Sequence, residues 1–254
     1  MVRDKKQEFW NTRAPLGETS GTNDFVLKDL ELKLIHAEVP TYSTVLDAGC
    51  GNGATLVSLA LRNNCRGVGI DFSNEMIKHA KDAAIEGGVS DRISFLEGRI
   101  EEFPDLGQEF DVVLTERSLQ NLNSAEAQHR AFLTIMRKLR PGGIYLMIES
   151  FIQGVNKTNG FRQVLGLDPI SPPWHNLFLD EEIVQTWETS TFRLEAVNHF
   201  SSTYYFLSRV VYAKIAADNG DTLRYDSPIN LIGKALPPVG DFGPTRLYKW
   251  RRIQ

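Results

Sequence analysis

Cysteine is scarce in this chain: Cys50 and Cys65 are the only two among 254 residues. That excludes a disulfide-built scaffold. One of the pair sits inside a glycine-rich turn, so both read as reduced thiols of a cytoplasmic protein. Long apolar runs are missing too. No window reaches the ~18 residues that a membrane-spanning helix needs, and the opening MVRDKKQEFW has no apolar stretch of the kind a signal peptide carries. Basic clusters are few and short, Lys5-Lys6 and Lys249-Trp250-Arg251-Arg252 among them, and the net charge is −4. Such a balance lacks the dense basic face of a nucleic-acid binder. The histidines and cysteines show no metal-ligand spacing, so no metal is expected. What remains is an ordinary globular composition on a chain long enough to bury one large α/β core.

Organisation shows in the changing hydrophobic period. Val26, Leu27, Leu30, Leu34 and Ile35 recur at helical spacing behind Asp24, a candidate N-cap, and Pro40 closes that helix. The segment before it, NTRAPLGETSGTND, is turn-rich and reads as a loop or flap. Residues 1–43 are therefore expected to form a flap and helix, and 44–254 the main domain. From Thr44 onward, short apolar runs alternate with helical patterns. Strands are expected at 44–46, 67–70, 93–96, 110–114 and 144–148, with later ones near 192–200 and 245–251. Helices are expected after Ala54, after Ser73, after Ser124, near 180–188 and over 204–217. The pattern predicts a doubly wound, seven-stranded, mostly parallel sheet with helices on both faces. Residues 151–179 and 201–244 break the rhythm after strands five and six and are expected to form a substrate cap. The first of these reads as irregular throughout, and 218–244 as a long Pro-, Gly- and Asp-rich loop.

The run LDAGCGNGA joins the first strand to its helix. Gly49, Gly51 and Ala54 satisfy a dinucleotide-binding spacing, and Asp71 lies where a ribose-binding acid belongs. Asp47 argues against a dinucleotide. An acid at the strand end, two residues before the first glycine, would face the pyrophosphate and repel it. A cationic ligand suits that position better.

These residues resemble the class I SAM-dependent methyltransferases, a Rossmann-like family, over about Val45 to Ile148. VLDAGCGNG, GVGIDFS, ISFLEGRIEEFP, FDVVLTERSLQNL and LRPGGIYLMIE match its motifs in order. The resemblance implies S-adenosylmethionine as cofactor and S-adenosylhomocysteine as product. It implies that Gly49, Gly51 and Gly53 let the backbone approach the methionine part, with Asp47 receiving its ammonium. It implies that Asp71 holds the ribose, that Phe72 and Met76 pack near the adenine, and that Ile100 offers its backbone N–H. Arg99 stands where the family usually has an acid, and arginine has no acceptor for the adenine amino group; Glu101 is the alternative. Glu116, after strand four, borders the methyl-donor site.

On the acceptor side, His175 in SPPWHN and Glu149 at the end of strand five are the candidate bases. Arg117 is a candidate clamp for an anionic substrate, or else a salt-bridge partner of Glu116 or Glu149. Asn121, Tyr204, Tyr205 and Arg13 are candidate substrate contacts. The flanking segments, PPWHN and FSSTYYFLSRVVY among them, resemble bacterial methyltransferases associated with surface-polysaccharide assembly. The expected function is methylation of an O or N atom of a small polar acceptor, with a sugar- or phosphate-bearing precursor as one form. A lipid or secondary-metabolite ring as acceptor, and a SAM-binding regulatory pseudo-enzyme, are the alternatives. The expected partner is a small molecule, without nucleic acid or membrane, and the chain is expected to be a monomer or homodimer.

Overall fold

A computed structural model describes residues 5–254, the side chain of Glu18 excepted; the first four residues of the expected flap lie outside the described part. Seven strands run β1 (Thr44–Ala48), β2 (Arg66–Asp71), β3 (Ile93–Glu97), β4 (Phe110–Glu116), β5 (Leu139–Ser150), β6 (Phe192–Asn198) and β7 (Thr245–Arg252). They form one sheet in the order β3-β2-β1-β4-β5-β7-β6. The first five pair in parallel, and β7 runs antiparallel to both β5 and β6.

Successive strand residues face opposite layers, which explains the near-continuous apolar runs. On one side Val45, Val112, Leu114, Ile144, Leu146 and Ile148 pack with residues of α2 (Phe25–Glu38), α3 (Ala54–Arg62) and α4 (Asn74–Glu86). On the other, Leu46, Val113, Tyr145 and Met147 meet Ala131, Phe132, Ile135 and Met136 of α5 (Ala125–Met136). Caps mark the helix starts as expected: Asp24, Ser73 and Ser124 accept the N–H groups of Leu27, Met76 and Ala127. Strand order reverses between β1 and β4, so a crevice opens at their carboxyl ends.

Three segments differ from the sequence-based expectation. Part of NTRAPLGETSGTND continues a helix, α1 (Lys5–Arg13), followed by a 3₁₀ turn over Ala14–Thr19. None of α1's residues is buried, so it carries no apolar stripe to betray it. Instead, Gln7 Nε2 donates to the carbonyl of Phe72 at 2.7 Å, and Ser73 Oγ donates to Asn11 Oδ1 at 2.6 Å. The second is α6 (Ile152–Val164), inside the stretch expected to be irregular. Gly154 hides it, since a glycine lowers helical propensity. It is there for space: a Cβ would lie 2.5 Å from the Gly243 carbonyl oxygen. The third is α10 (Pro228–Ala235), within the loop expected over 218–244. Ser227 caps it and Pro228 opens it, a legible start signal. The helix expected near 180–188 is the short α7 (Glu181–Gln185), and the expected 204–217 helix is a longer run, α8 (Ser202–Phe206), a π-helical segment (Leu207–Tyr212) and α9 (Ala213–Asn219).

Candidate active site

The turn after β1 is shaped by its glycines. Gly49, Gly51 and Gly53 have φ of 86°, 52° and 77°, values that L side chains seldom adopt. A Cβ on Gly49 would also meet Ser118 Oγ at 2.1 Å, so the turn passes directly beneath the loop after β4. Two strand-end acids flank it. Asp71 Oδ2 accepts the Gly51 N–H and its Oδ1 accepts the Ser73 N–H, both at 2.9 Å. Burial raises its carboxyl to about 6 despite those donors. Asp47 is buried, and its Oδ2 has no hydrogen-bond partner among the described residues. Burial, aided by the charge of Glu116, pushes it to about 8.

Both acids line a cavity of about 880 Å³ at the carboxyl ends of the strands, large enough for a nucleoside cofactor and a second small molecule. Beside Asp71, the wall carries Phe72, Met76, Arg99, Ile100 and Glu101. The Arg99 guanidinium lies 5.5 Å from the centre of the Phe72 ring and 3.9 Å from Glu101.

The wall nearest α2 is an ion-pair network. Lys28 pairs with Glu116, whose other oxygen accepts from Thr55 Oγ1 at 3.1 Å. Burial alone would raise Glu116, but Lys28 and Arg117 hold it below its ordinary value. Arg117 has φ 58° and aims its guanidinium at Glu31 (3.2 Å) and Glu116 (3.8 Å). Glu31 is fully buried, which raises it to about 7 against the pull of Arg117. Asp24 joins the same wall, accepting from Arg209 Nη2 and from Tyr204 Oη at 2.6 Å each.

His175 is held opposite by aromatic rings. Phe9 stacks on it with ring centres 4.4 Å apart, while Trp10 and Trp174 meet it edge-on. Burial, with Lys6 and Arg13 nearby, lowers its pKa below the usual 6.5 and keeps the ring neutral. Its Nδ1, Trp10 Nε1, Asn121 Oδ1 and Asn176 Oδ1 are buried without partners among the described residues, and all four residues line the cavity.

The structure brings most of the expected residues together. Asp47, Gly49, Gly51, Asp71, Phe72, Met76, Arg99, Ile100, Glu116, Arg117, Asn121, Tyr205, Arg13 and His175 all line this cavity. Three do not line it. Gly53 supports the turn from behind, against Phe95 and Ala80. Tyr204 is buried with Val26 and Leu27, its hydroxyl spent on Asp24, while Tyr205 takes the cavity side. Glu149 is completely buried and accepts the N–H groups of Ser118, Leu119 and Gln120 at 2.9, 2.9 and 3.2 Å. These bonds tie it to the loop after β4, and it does not line the cavity. Arg117, expected as a clamp, is neutralised by Glu31 and Glu116. Sequence reading missed Lys28, Phe9, Trp10, Asn176 and Arg209. Only Lys28 carried a signal, lying four residues after the Asp24 cap and so on the same helix face.

The acids at the carboxyl ends of β1 and β2 and the sheet order define a Rossmann-like fold of the kind that binds nucleoside cofactors where the strand order reverses. Residues 42–166 match the family described as a methyltransferase domain, and this part of the chain is a class I SAM-dependent methyltransferase domain with S-adenosylmethionine as its cofactor. The chain is 29% identical over 115 residues to a sterol 24-C-methyltransferase of Pneumocystis carinii (45% of this chain, 30% of the relative). It is 33% identical over 99 residues to the 27-O-demethylrifamycin SV methyltransferase of Amycolatopsis mediterranei (39% and 35%). The matches thus span about a third of those relatives. In fold it resembles a TehB-like SAM-dependent methyltransferase from Corynebacterium glutamicum (TM-score 0.58, 14% identity, 98% of each chain). A Geobacter sulfurreducens SAM-dependent methyltransferase in complex with S-adenosyl-L-homocysteine is similar too (TM-score 0.52, 17% identity, 89% and 90%). Among the described residues no helix is long and apolar enough to cross a membrane, and no cluster could hold a metal ion.

Proposed function

We propose that the chain transfers a methyl group from S-adenosylmethionine to an oxygen or nitrogen of a small polar acceptor. The observation that carries this reading is the buried, unpartnered Oδ2 of Asp47 on the cavity wall. An ammonium placed there draws off the proton and satisfies an oxygen that is otherwise left without a partner, whereas a pyrophosphate would keep the acid protonated and offer it no donor. Asp71 takes the ribose hydroxyls, and Phe72 and Met76 flank the base. The cofactor supplies a methyl group on a sulfonium.

The residues of this chain do the rest by holding and drying the site. His175 is the proposed base. Its neutral ring and unpartnered Nδ1 suit it to take the proton of an acceptor hydroxyl as the O–C bond forms and the C–S bond breaks. The segments around α6 and α8–α10 serve in this reading as a cap, which is supported by Val155, Thr158, Tyr205, Arg209 and Tyr225 lining the cavity. The unpartnered amide oxygens of Asn121 and Asn176 suit a hydroxyl-rich acceptor, and a sugar- or phosphate-bearing surface-polysaccharide precursor is the first to try. A lipid or secondary-metabolite ring is the second reading, favoured by the apolar side made by Val155, Ile170, Pro173 and Phe178. Calorimetric titration with S-adenosylmethionine and with NADH tests the cofactor; heat with NADH alone refutes the proposal. A panel of nucleotide-linked sugars, phosphorylated metabolites and phenols, screened for S-adenosylhomocysteine formation, tests the acceptor.

A further inference from the structure

We propose that Arg13 is an anion-recognition residue and that the methyl acceptor carries a carboxylate or phosphate which it binds. This rests on the methyltransferase reading above. Several cations line the cavity, but most are neutralised inside the protein. Lys28 and Arg117 are paired with Glu116 and Glu31, Arg209 with Asp24, and Arg99 stands beside Glu101. Arg13 is built differently. Its Nε and Nη2 donate to the carbonyls of Ser20 and Thr19, and among the described residues no carboxylate lies within 4.0 Å of it. Two backbone anchors fix the guanidinium fork before any ligand arrives and leave Nη1 to donate. A half-buried charge held on the cavity wall without an acid partner among the described residues is complementary to an anion.

The neighbours of Arg13 point to the acceptor. Its guanidinium lies 5.8 Å from the centre of the Phe9 ring, and Phe9 stacks on His175. When His175 accepts a proton, it becomes an imidazolium close to Lys6 and Arg13, the two cations that already disfavour its charged form. A negative charge on the acceptor offsets that repulsion. The cofactor's own carboxylate is the other source of such an anion, and the test must separate the two.

The test uses the full chain saturated with S-adenosylhomocysteine, so that the cofactor carboxylate is already in place. Inorganic phosphate, benzoate and neutral benzamide are titrated while tryptophan emission is followed, Trp10 lying next to the site. The anions should bind saturably and benzoate at least tenfold more tightly than benzamide. Arg13→Gln should abolish that preference, Arg13→Lys should retain part of it, and both should bind S-adenosylhomocysteine within about threefold of the parent, which also reports that they fold. Equal binding of benzoate and benzamide overturns the proposal, and so does an absence of saturable anion binding. Loss of S-adenosylhomocysteine affinity in Arg13→Gln, with the anion preference intact or never present, assigns the arginine to the cofactor and overturns it too. A parent protein that binds no S-adenosylhomocysteine removes the methyltransferase reading itself, and the proposal with it.

Discussion

Asp71 Oδ2 accepts the backbone N–H of Gly51 at 2.9 Å, so the acid at the end of β2 holds the turn at the end of β1 in its left-handed shape. One carboxylate thus fixes the glycine turn and keeps lone pairs for a ribose. Asp71→Ala removes both functions. The cofactor should bind less tightly by on the order of 1–3 kcal/mol, the range for a buried group left unpaired. Calorimetry with S-adenosylhomocysteine checks it, and unchanged affinity rules out the ribose assignment.

Asp47 links cofactor binding to pH and stability. Folded and ligand-free, it keeps its proton up to about 8, whereas an unfolded aspartate loses it near 3.8. Between those values the folded state binds more protons, so stability falls as pH rises. Asp47→Asn removes this dependence and should raise the melting temperature at pH 8 while leaving it nearly unchanged near pH 4. The same variant should weaken S-adenosylmethionine binding at least tenfold. In the parent, binding an ammonium lowers the pKa of Asp47 and expels its proton. Titrations near pH 7 in buffers of different ionisation enthalpy should therefore report proton release, and none would speak against the ammonium site.

The strand-end acids were legible in the sequence because they depend on local order: an apolar run, an acid, then a turn. The sheet was legible for the same reason, since each buried strand is a contiguous run. What escaped depends on contacts far apart in the chain. Glu31 and Arg117 meet across 86 positions, and no local pattern marks Glu31 as the group that consumes the Arg117 charge. Phe9 reaches His175 from a helix without an apolar stripe. Whether Tyr204 or Tyr205 faces the cavity is a matter of helical phase, set here by the packing of Tyr204 against α2.

Glu149 is a positioning residue, and one substitution separates that from a role as base. Glutamine at this position keeps one oxygen but turns an N–H toward a backbone donor. Glu149→Gln should lose about 1–3 kcal/mol of stability in denaturant unfolding, the scale for leaving buried donors unsatisfied. Turnover per folded molecule should remain within a few-fold. A folded variant with turnover down a hundredfold would restore Glu149 as a catalytic group.

His175 gives the sharpest kinetic prediction, because its surroundings fix both its charge state and its reach. Burial, Lys6 and Arg13 all lower its pKa below 6.5. A base must be neutral to accept a proton, so kcat/KM on a hydroxyl acceptor should be level from about pH 7 upward and fall only as pH drops below 6.5. His175→Ala should reduce kcat by about 10²–10⁴-fold, the usual worth of a positioned general base. It should also flatten the acid limb of the profile. The alanine also removes the ring on which Phe9 stacks, so His175→Gln is the fairer companion, keeping a planar polar group. If the acceptor atom is a neutral amine, little proton transfer is needed before methyl transfer, and both variants should retain most of their turnover. The same pair of variants therefore decides whether the base acts at all and whether the methylated atom is oxygen or nitrogen, with near-parental kcat on a hydroxyl acceptor excluding His175 as the base.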